Sequence, residues 1–290
     1  MKELETSVSV LICVRNVEKY IGNCLKSILS QTFRDFEIVI VDDDSNDKTK
    51  KIIENFRDKR VRYFKNEKWL GITKSRNRSL KYAKGEYIFF TDGDCFVSLD
   101  WIEQGLKFLK DSDCAGVEGM IYYVSEEYKP TFSDHTYARG RGKFATGNIA
   151  YKKNIVESVK GFDERYSYFE DRDLGFRILR TSKIEFNPNM VVYVQKESLT
   201  LTGLIKNAPI IKNRVYLFKR FQDKETISWR IVDPWSLEKI LCPPLFFMGL
   251  FSNRFKRLDD YRLLPLTYVK TILERLYLWR ECAKERVFLI

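Results

Sequence analysis

The sequence predicts an α/β fold in which a mostly parallel β-sheet is flanked by helices and followed by a helical extension. Apolar segments of strand length alternate with amphipathic segments over about the first 110 residues, a pattern typical of a parallel, helix-covered sheet. One apolar segment, residues 86–90, ends at two carboxylates, Asp92 and Asp94. Beyond residue 195 the pattern changes to long amphipathic segments rich in aromatic and basic residues.

The elements of the first half follow from hydrophobic periodicity. Strands are expected at residues 7–14, 36–41, 61–64 and 86–90, and helices at residues 18–30, 48–56, 71–83 and 99–110. In the helix at 71–83, Ile72 and Leu80 are expected to face inward and Arg76 outward. Acidic and serine residues at 42–47 precede the second helix, where they can accept hydrogen bonds from its free backbone amides.

The second half is predicted to complete one domain over residues 1–195. It contains a strand at 117–124, a polar loop at 125–143, a strand at 144–151, a helix at 169–180 and short strands at 184–186 and 190–194. A separate region, residues 196–290, is expected to hold helices at 199–221, 236–251 and 261–286.

Composition excludes several classes of protein. The single histidine, His135, rules out zinc hydrolase sites that need two, and makes Ser-His-Asp chemistry a poor fit. Six cysteines without a Cys-x-x-Cys pair indicate a reduced, cytoplasmic chain. No secretory signal is evident, and the longest uncharged apolar run, residues 240–251, is too short to span a bilayer.

The positive charge is concentrated in the C-terminal third. The formal net charge is +11, and residues 196–290 hold 18 Lys and Arg against 10 Asp and Glu. Aromatic residues interleave with these cations, as in helices that lie on an anionic membrane surface. Packing against the first domain is the alternative explanation for much of the apolar surface. Nucleic acid is not expected as a partner, because no recognised nucleic-acid motif accompanies the charge.

The Asp92-Gly93-Asp94 segment is the first candidate site. Ligands of open α/β sheets bind beyond the carboxyl ends of the strands, where this segment is expected. Gly93 is expected to permit a sharp turn, and two carboxylates this close repel each other unless a cation or a ligand hydroxyl accepts them. An acidic surface turn is the alternative explanation.

Several segments together resemble the family-2 inverting glycosyltransferases of GT-A fold. The segments are residues 8–12 with Arg15-Asn16, residues 27–33, residues 37–47, Asp92-Gly93-Asp94, Gly147-Asn148 and Phe169-Glu170-Asp171. They occur in the family's order and spacing over roughly residues 6–195, about two thirds of the chain. The dinucleotide fingerprint and the Walker A loop are both absent after the first strand.

The resemblance implies a role for individual residues. Residues implied to bind the nucleotide are Cys13 (through its backbone), Arg15, Asp43, Arg76 and Asp92, where Asp43 would contact the base and Arg76 the base or diphosphate. Asp94 would ligate Mn²⁺ or Mg²⁺, and Gln195 stands where the family often has a ligating histidine. Asp171 would be the general base, although an ordinary acid at a helix N-terminus is the alternative.

The acceptor site is expected to involve four residues, namely Arg139, Arg141, Asn148 and Glu170. Arg139 and Arg141 lie in a glycine-containing loop and could meet the phosphate of a lipid-linked acceptor, although a solvated basic loop is equally compatible with the sequence.

The predicted function is therefore metal-dependent transfer of a sugar from a nucleotide-diphosphate donor, expected to be a UDP-sugar, to a hydroxyl of a glycan or polyprenyl-linked acceptor. The protein would lie at the inner face of the cell membrane. Two alternatives are a sugar-1-phosphate nucleotidyltransferase and a non-catalytic basic docking module. The first would need a Gly-rich basic loop after the first strand, where the chain has Cys13-Val14-Arg15-Asn16-Val17.

Overall fold

The computed structural model describes residues 6–110, 113–124, 142–195, 208–221 and 264–286. Their strands are β1 (Val8–Val14), β2 (Phe36–Asp42), β3 (Val61–Lys65), β4 (Tyr87–Phe90), β5 (Cys95–Val97), β6 (Cys114–Val124), β7 (Ile149–Lys152) and β8 (Lys183–Gln195). Their helices are α1 (Ile21–Leu29), α2 (Thr49–Glu54), α3 (Ile72–Tyr82), α4 (Trp101–Leu109), α5 (Lys153–Ser158), α6 (Glu170–Leu179), a 3₁₀ helix (Ala208–Lys212), α7 (Asn213–Phe221) and α8 (Leu264–Lys284).

The strands form one sheet in the order β3-β2-β1-β4-β7-β6-β8-β5. Strands β3, β2, β1 and β4 are mutually parallel, and β6 is parallel to β8. Strand β7 is antiparallel to both β4 and β6, and β5 is antiparallel to β8. The predicted α/β fold with a mostly parallel sheet flanked by helices is confirmed.

The sheet core explains why the first strands are mostly apolar on both faces, apart from Ser9 in β1 and Glu37 and Asp42 in β2. Every residue of β2 is buried, as are all residues of β1 except Cys13. A parallel strand that is covered by helices on both faces needs apolar side chains on both, which gives a continuous rather than an alternating pattern. Trp101 of α4 is fully buried and packs edge-on against Phe89 of β4, with 5.1 Å between the ring centroids.

Several predicted elements differ from the observed ones. The expected strand at 144–151 is limited to β7, and the two short strands at 184–186 and 190–194 are one strand, β8, whose register with β6 shifts between Gly119 and Met120. Strand β5 and helix α5 were not predicted. Both are short, and the amphipathic period is not established over three or six residues.

The chain divides into two compact units, one of residues 1–130 and 137–196 and the other of residues 131–136 and 197–290. In the second unit, the Tyr216 hydroxyl of α7 donates to Glu281 of α8 at 2.6 Å, and Lys219 pairs with Glu285 at 2.7 Å. The helix predicted at 236–251 lies outside the described residues. Within the described part of the chain, no helix combines the length and the apolar character needed to cross a membrane.

Candidate active site

The candidate site lies where the parallel strands β1, β2 and β4 end. Strand β4 pairs with β1 only as far as Phe90 opposite Leu11, whereas β1 continues to Val14. The Cys13 backbone therefore borders the space above the end of β4, where Asp92 follows. Since β1 and β4 are adjacent while the chain between them passes through β2 and β3, this is a switch point of the sheet, where ligands bind in open α/β folds.

Gly93 is required at this point for a reason that the sequence did not indicate. A Cβ atom at residue 93 would lie 2.8 Å from Val14 Cγ1 and 3.3 Å from Val17 Cγ2. Gly93 does not have a positive φ, unlike Gly71. The expected sharp turn is confirmed, because residues 93 and 94 form a turn closed by the Cys95 N–H, which donates to the Asp92 carbonyl at 3.1 Å. The glycine is needed in this turn for the room that it provides against the end of β1 rather than for a left-handed backbone.

Two buried thiols fix the carboxylate segment. Cys24 of α1 donates to the Asp92 carbonyl at 3.6 Å, and the Cys95 thiol donates to Asp94 Oδ1 at 3.5 Å. Burial raises the pKa of Cys24 and of Cys95, so both remain protonated donors at neutral pH. The sequence placed these cysteines only within apolar patterns, and nothing in their spacing indicated the contacts.

Ligand atoms of Asp92, Asp94 and Cys95 lie within 4.8 Å of one another. Next to them, the Gln195 backbone N–H donates to the Asp94 carbonyl at 3.1 Å. Gln195 Oε1 is buried, and it has no hydrogen-bond partner among the described residues. Carboxylate and amide oxygens are the ligands that Mg²⁺ and Mn²⁺ prefer, and a buried amide oxygen without a partner, on a residue whose backbone pairs with Asp94, suits a cation. The residues present therefore fit a hard divalent cation.

Arg76 is buried, with 7% of its surface exposed, which corrects the expectation that it faces outward from its helix. Its Nη2 lies 3.2 Å from Asp92 Oδ1, and its Nη1 donates to Glu170 Oε1. One guanidinium from α3 thus joins the end of β4 to the start of α6. Helical periodicity predicted that Arg76 lies on the polar face of α3. That face is buried at Arg76 because Glu170, which is distant in sequence, packs against it.

Asp171 follows Glu170 in the first turn of α6, and Phe169 before it has a left-handed backbone with φ of 66°. Asp171 Oδ1 accepts the Arg172 backbone N–H at 2.8 Å. Burial raises the pKa of Asp171, against the opposing effects of Arg76 and Arg172, and the charge of Asp92 raises it further. Asp92, two residues before the predicted metal ligand Asp94, and Asp171 are therefore electrostatic neighbours.

Burial also raises the pKa of Glu170 to about 7, against the lowering effect of Arg76 and together with the repulsion of Asp171. Glu170 is only 4% exposed and its carboxylate is directed to Arg76. The contact that the structure shows for Glu170 is with Arg76, and its role in the acceptor site stays a prediction. Three carboxylates, those of Asp92, Glu170 and Asp171, surround a single guanidinium, so protonation of one carboxyl relieves their repulsion.

Asp43 organises the segment that connects β3 to α3. Its Oδ1 accepts hydrogen bonds from Asn66 Nδ2 and the Leu70 N–H, each at 2.8 Å, and its Oδ2 accepts the Gly71 N–H at 2.8 Å. A carboxylate offers about four acceptor positions, so Oδ2 retains capacity for one further donor. Gly71, with φ of 91°, begins α3 at the end of this segment.

The remaining predicted site residues fall into two groups. Asn148 is fully buried, where its side chain accepts from Trp101 Nε1 at 2.8 Å and donates to the Met120 and Met190 carbonyls. With both donors and its oxygen engaged in the core, Asn148 is a structural residue, and its predicted contact with the acceptor is corrected. Arg139 and Arg141 lie outside the described residues.

This sheet order, with a carboxylate segment at the end of β4 and further acids at the start of α6, defines a GT-A glycosyltransferase. Residues 9–182 match the protein family described as glycosyl transferase family 2. The chain belongs to glycosyl transferase family 2, and it is a glycosyltransferase. The predicted family and class of enzyme are confirmed, which decides against the nucleotidyltransferase and docking-module alternatives.

Two relatives illustrate the similarity. An uncharacterized glycosyltransferase of Methanocaldococcus jannaschii, MJ1057, is 27% identical over 253 residues, which cover 74% of this chain and 84% of the relative. The Escherichia coli UDP-Glc:alpha-D-GlcNAc-diphosphoundecaprenol beta-1,3-glucosyltransferase WfaP is 31% identical over 188 residues, covering 63% and 74%. The chain matches only 22% of the length of another relative, glycosyltransferase GlyA of Streptococcus pneumoniae.

Solved structures share the fold. Residues 1–349 of TarS of S. aureus in complex with UDP-GlcNAc have a TM-score of 0.59 at 20% identity, and the match covers 97% of this chain and 91% of that TarS chain. The mannosyltransferase PcManGT of Pyrobaculum calidifontis in complex with GDP-Man and Mn²⁺ has a TM-score of 0.65 at 17% identity, covering 93% and 86%.

Proposed function

We propose that the protein is a metal-dependent, inverting glycosyltransferase that moves a sugar from a UDP-sugar to a hydroxyl of a glycan or lipid-linked acceptor. The observation that carries this proposal is the bridge formed by Arg76. Arg76 joins Asp92, one of the three residues whose potential metal-ligand atoms lie close together, to Glu170. The next residue, Asp171, is the candidate base. One site would thereby contain the acids that can hold a cation at the leaving diphosphate and the base that can take the proton of the acceptor hydroxyl.

Asp171 performs the proton transfer in this proposal. As the acceptor hydroxyl attacks the anomeric carbon, its proton passes to the Asp171 carboxylate and the bond from that carbon to the diphosphate oxygen breaks. Attack from the face opposite the leaving group inverts the configuration. The raised pKa of Asp171 makes it a stronger base than an ordinary aspartate, and a positioned carboxylate contributes roughly 10²–10⁴-fold.

Asp94 and Gln195 would hold the divalent cation, with Asp92 beside it. A bound Mn²⁺ or Mg²⁺ neutralises negative charge on a departing diphosphate. The protein's own residues contribute orientation: Cys95 directs the Asp94 carboxylate through its thiol, and Arg76 holds Asp92. The arrangement of buried thiol, carboxylate and amide oxygen supports this assignment.

The nucleotide is proposed to lie across the ends of β4, β1 and β2. Asp43 retains acceptor capacity on Oδ2, which suits the N–H on the edge of a base such as uracil. The UDP-sugar donor is supported by the name of WfaP and by the UDP-GlcNAc complex of TarS. A lipid-linked diphosphate acceptor is supported by the name of WfaP, and Arg139 and Arg141 remain predicted to meet its phosphate.

Attachment to an anionic membrane surface is part of the proposal. Among the described side chains of helix α8, three large apolar ones are exposed, Val269, Leu276 and Trp279, spaced seven and three residues apart. At 100° per residue these lie on one side of the helix, and Arg280 beside them is exposed. An exposed apolar strip edged by cations is typical of helices that lie in the membrane interface.

A screen of nucleotide sugars tests the proposal. The full chain is incubated with UDP-, GDP- and CDP-sugars with Mn²⁺, Mg²⁺ or EDTA, and release of nucleoside diphosphate is measured. We expect slow, metal-dependent hydrolysis of a UDP-sugar, accelerated by a polyprenyl-diphosphate sugar. The anomeric configuration of the product is read by NMR. Metal-independent turnover, or retention of configuration, would contradict the proposed mechanism.

A further inference from the structure

One exposed aromatic side chain lies at the edge of the site without a role in the chemistry described so far. Trp69, in the segment between β3 and α3, is 63% exposed. Single exposed apolar residues are common on protein surfaces, so exposure alone carries little meaning. The position and the neighbour of Trp69 are what give it significance.

The segment that carries Trp69 is held firmly. Asp43 accepts the backbone N–H groups of Leu70 and Gly71, directly after Trp69. At the other end, the Asn66 N–H donates to the Asp42 carbonyl at 2.8 Å, and its side-chain amide donates to Asp43 and to Ser75. The indole is therefore presented by a fixed backbone, which lowers the entropy lost when a ligand binds to it.

The neighbour of Trp69 is Arg15, whose guanidinium carbon lies 5.3 Å from the centroid of the indole ring. Arg15 follows β1, so the contact reaches across the end of β2 from the segment after β3. A guanidinium is planar and stacks on aromatic faces, and the two side chains together present an extended π surface with a positive charge. Such a surface suits a flat, electron-rich ring attached to an anion.

The order of the strands shows which part of a nucleotide would reach this surface. The carboxylate cluster follows β4, and Trp69 follows β3, three strand positions away. Neighbouring strands are about 4.8 Å apart, which separates the two sites by roughly 14 Å. A nucleoside diphosphate with its phosphates at Asp94 can extend its base past Arg15 toward Asp43 and Trp69.

We propose that Trp69, supported by Arg15, is a stacking surface for the nucleobase of the donor. Asp43 then reads the edge of the base and Trp69 holds its face. The inference rests on the proposed function, because it assumes that a nucleotide occupies this site. It adds a binding residue that neither the carboxylate segment nor the family resemblance indicated.

The test measures binding of base-containing and base-free probes. Isothermal calorimetry with Mn²⁺ gives the affinity of the full chain for UDP, GDP, CDP and inorganic pyrophosphate, and the tightest nucleotide is used thereafter. We expect Trp69→Ala to weaken nucleotide binding by roughly 5- to 100-fold while pyrophosphate binding stays within twofold. Trp69→Phe, which keeps an aromatic face, should lose less. Arg15→Lys, which keeps the charge but not the planar group, should weaken the nucleotide selectively.

Fluorescence provides an independent readout. The chain has five tryptophans, and saturable quenching of its emission by the nucleotide should disappear in Trp69→Phe but persist in Trp279→Phe, a partly exposed tryptophan in α8. Circular dichroism and thermal unfolding confirm that the variants are folded.

The possible results separate the two proposals. Equal nucleotide affinity in wild type and Trp69→Ala, or equal losses for nucleotide and pyrophosphate, would overturn the stacking role and leave the transferase proposal standing. Failure of the wild type to bind any of the nucleotides would overturn both.

Discussion

Arg76 Nη2 lies 3.2 Å from Asp92 Oδ1 while the other terminal nitrogen of the same guanidinium contacts Glu170. This buried arginine of α3 connects the segment after β4 to the start of α6, which is 78 residues further along the chain. Removing it would leave the buried carboxylate of Glu170 without its cation, which is more costly than losing the pair as a whole.

Replacement of Arg76 should therefore destabilise the fold as well as the site. We expect Arg76→Ala to lower the free energy of unfolding by about 3–5 kcal/mol, measured by urea denaturation. The double variant Arg76→Met with Glu170→Leu should recover part of that loss, because the buried Glu170 carboxylate is removed together with its cation and only Asp92 and Asp171 lose a partner. Lys74→Ala, an exposed residue on the same helix, should change stability by less than about 0.5 kcal/mol. A loss in Arg76→Ala no larger than that of Lys74→Ala would contradict the buried-bridge role.

Asp171 is the proposed base, and its amide variant separates catalysis from binding. Asp171→Asn keeps the shape of the side chain but cannot take up a proton, so we expect kcat for sugar transfer to fall roughly 10²–10⁴-fold. Donor affinity, measured by calorimetry, should change little. The matched control is Asp163→Asn, an acid before α6 whose carboxylate pairs with Arg165 at 2.6 Å. Equal activity of the two variants would remove Asp171 from the mechanism.

The raised pKa of Asp171 predicts where activity is lost in acid. Below this pKa the base is protonated and inactive, so the acidic limb of kcat/KM should lie above the ordinary aspartate value of 3.8. Glu170→Gln removes one charge from the cluster and should move that limb to lower pH, because the repulsion that raises the pKa of Asp171 decreases. The measurement is the pH profile of both proteins, and a limb that does not move would contradict the electrostatic coupling.

The same cluster should affect stability in a defined direction. In the folded protein burial raises the pKa of Glu170 from 4.5 to about 7, so the folded state binds more protons than the unfolded state between those pH values. The free energy of unfolding should thus decrease as pH rises through that window, by on the order of 1–3 kcal/mol. Glu170→Gln should flatten the dependence, as followed by denaturation midpoints at each pH. A stability that rises with pH over this range in both proteins would disagree with the assignment.

The sequence was sufficient to predict the parallel half of the sheet, because the buried strands β1, β2 and β4 are each encoded by a short, mostly apolar segment of strand length. It also placed Asp92, Asp94 and Asp171 by the resemblance of their segments. It could not predict that Arg76 is buried, since helical periodicity only distinguishes the faces of α3 and does not show that Glu170 covers one of them. The fully buried Asn148 illustrates the reverse case, in which a motif residue has a role in the core.

Variants of Gln195 test whether its side chain is a ligand of the proposed cation. Its buried Oε1 has no hydrogen-bond partner among the described residues, and the family resemblance implies a ligating histidine at this position. We expect Gln195→Leu to weaken Mn²⁺ binding about 10-fold or more relative to the wild type, and Gln195→His to bind Mn²⁺ at least as tightly as the wild type. Both affinities are measured by calorimetry and by electron paramagnetic resonance of free Mn²⁺. Ser98→Ala, which alters a buried hydroxyl in the segment between β5 and α4, is the control. Unchanged Mn²⁺ affinity in Gln195→Leu would exclude the residue as a ligand.

The exposed apolar strip of α8 predicts how the protein meets a membrane. Leu276→Ser with Trp279→Ser removes two of its three members, and we expect partitioning onto vesicles containing phosphatidylglycerol to fall at least 10-fold in sedimentation assays, since burying each such side chain contributes about 1.5–3 kcal/mol. Leu99→Ser is the control, because Leu99 is 60% exposed but lies in the catalytic unit. Binding of the wild type should also weaken as salt rises, because Lys and Arg of residues 196–290 contribute through screened attraction to anionic lipid. If the double variant bound vesicles as well as Leu99→Ser does, the strip would have no part in attachment, and packing within the protein would account for α8.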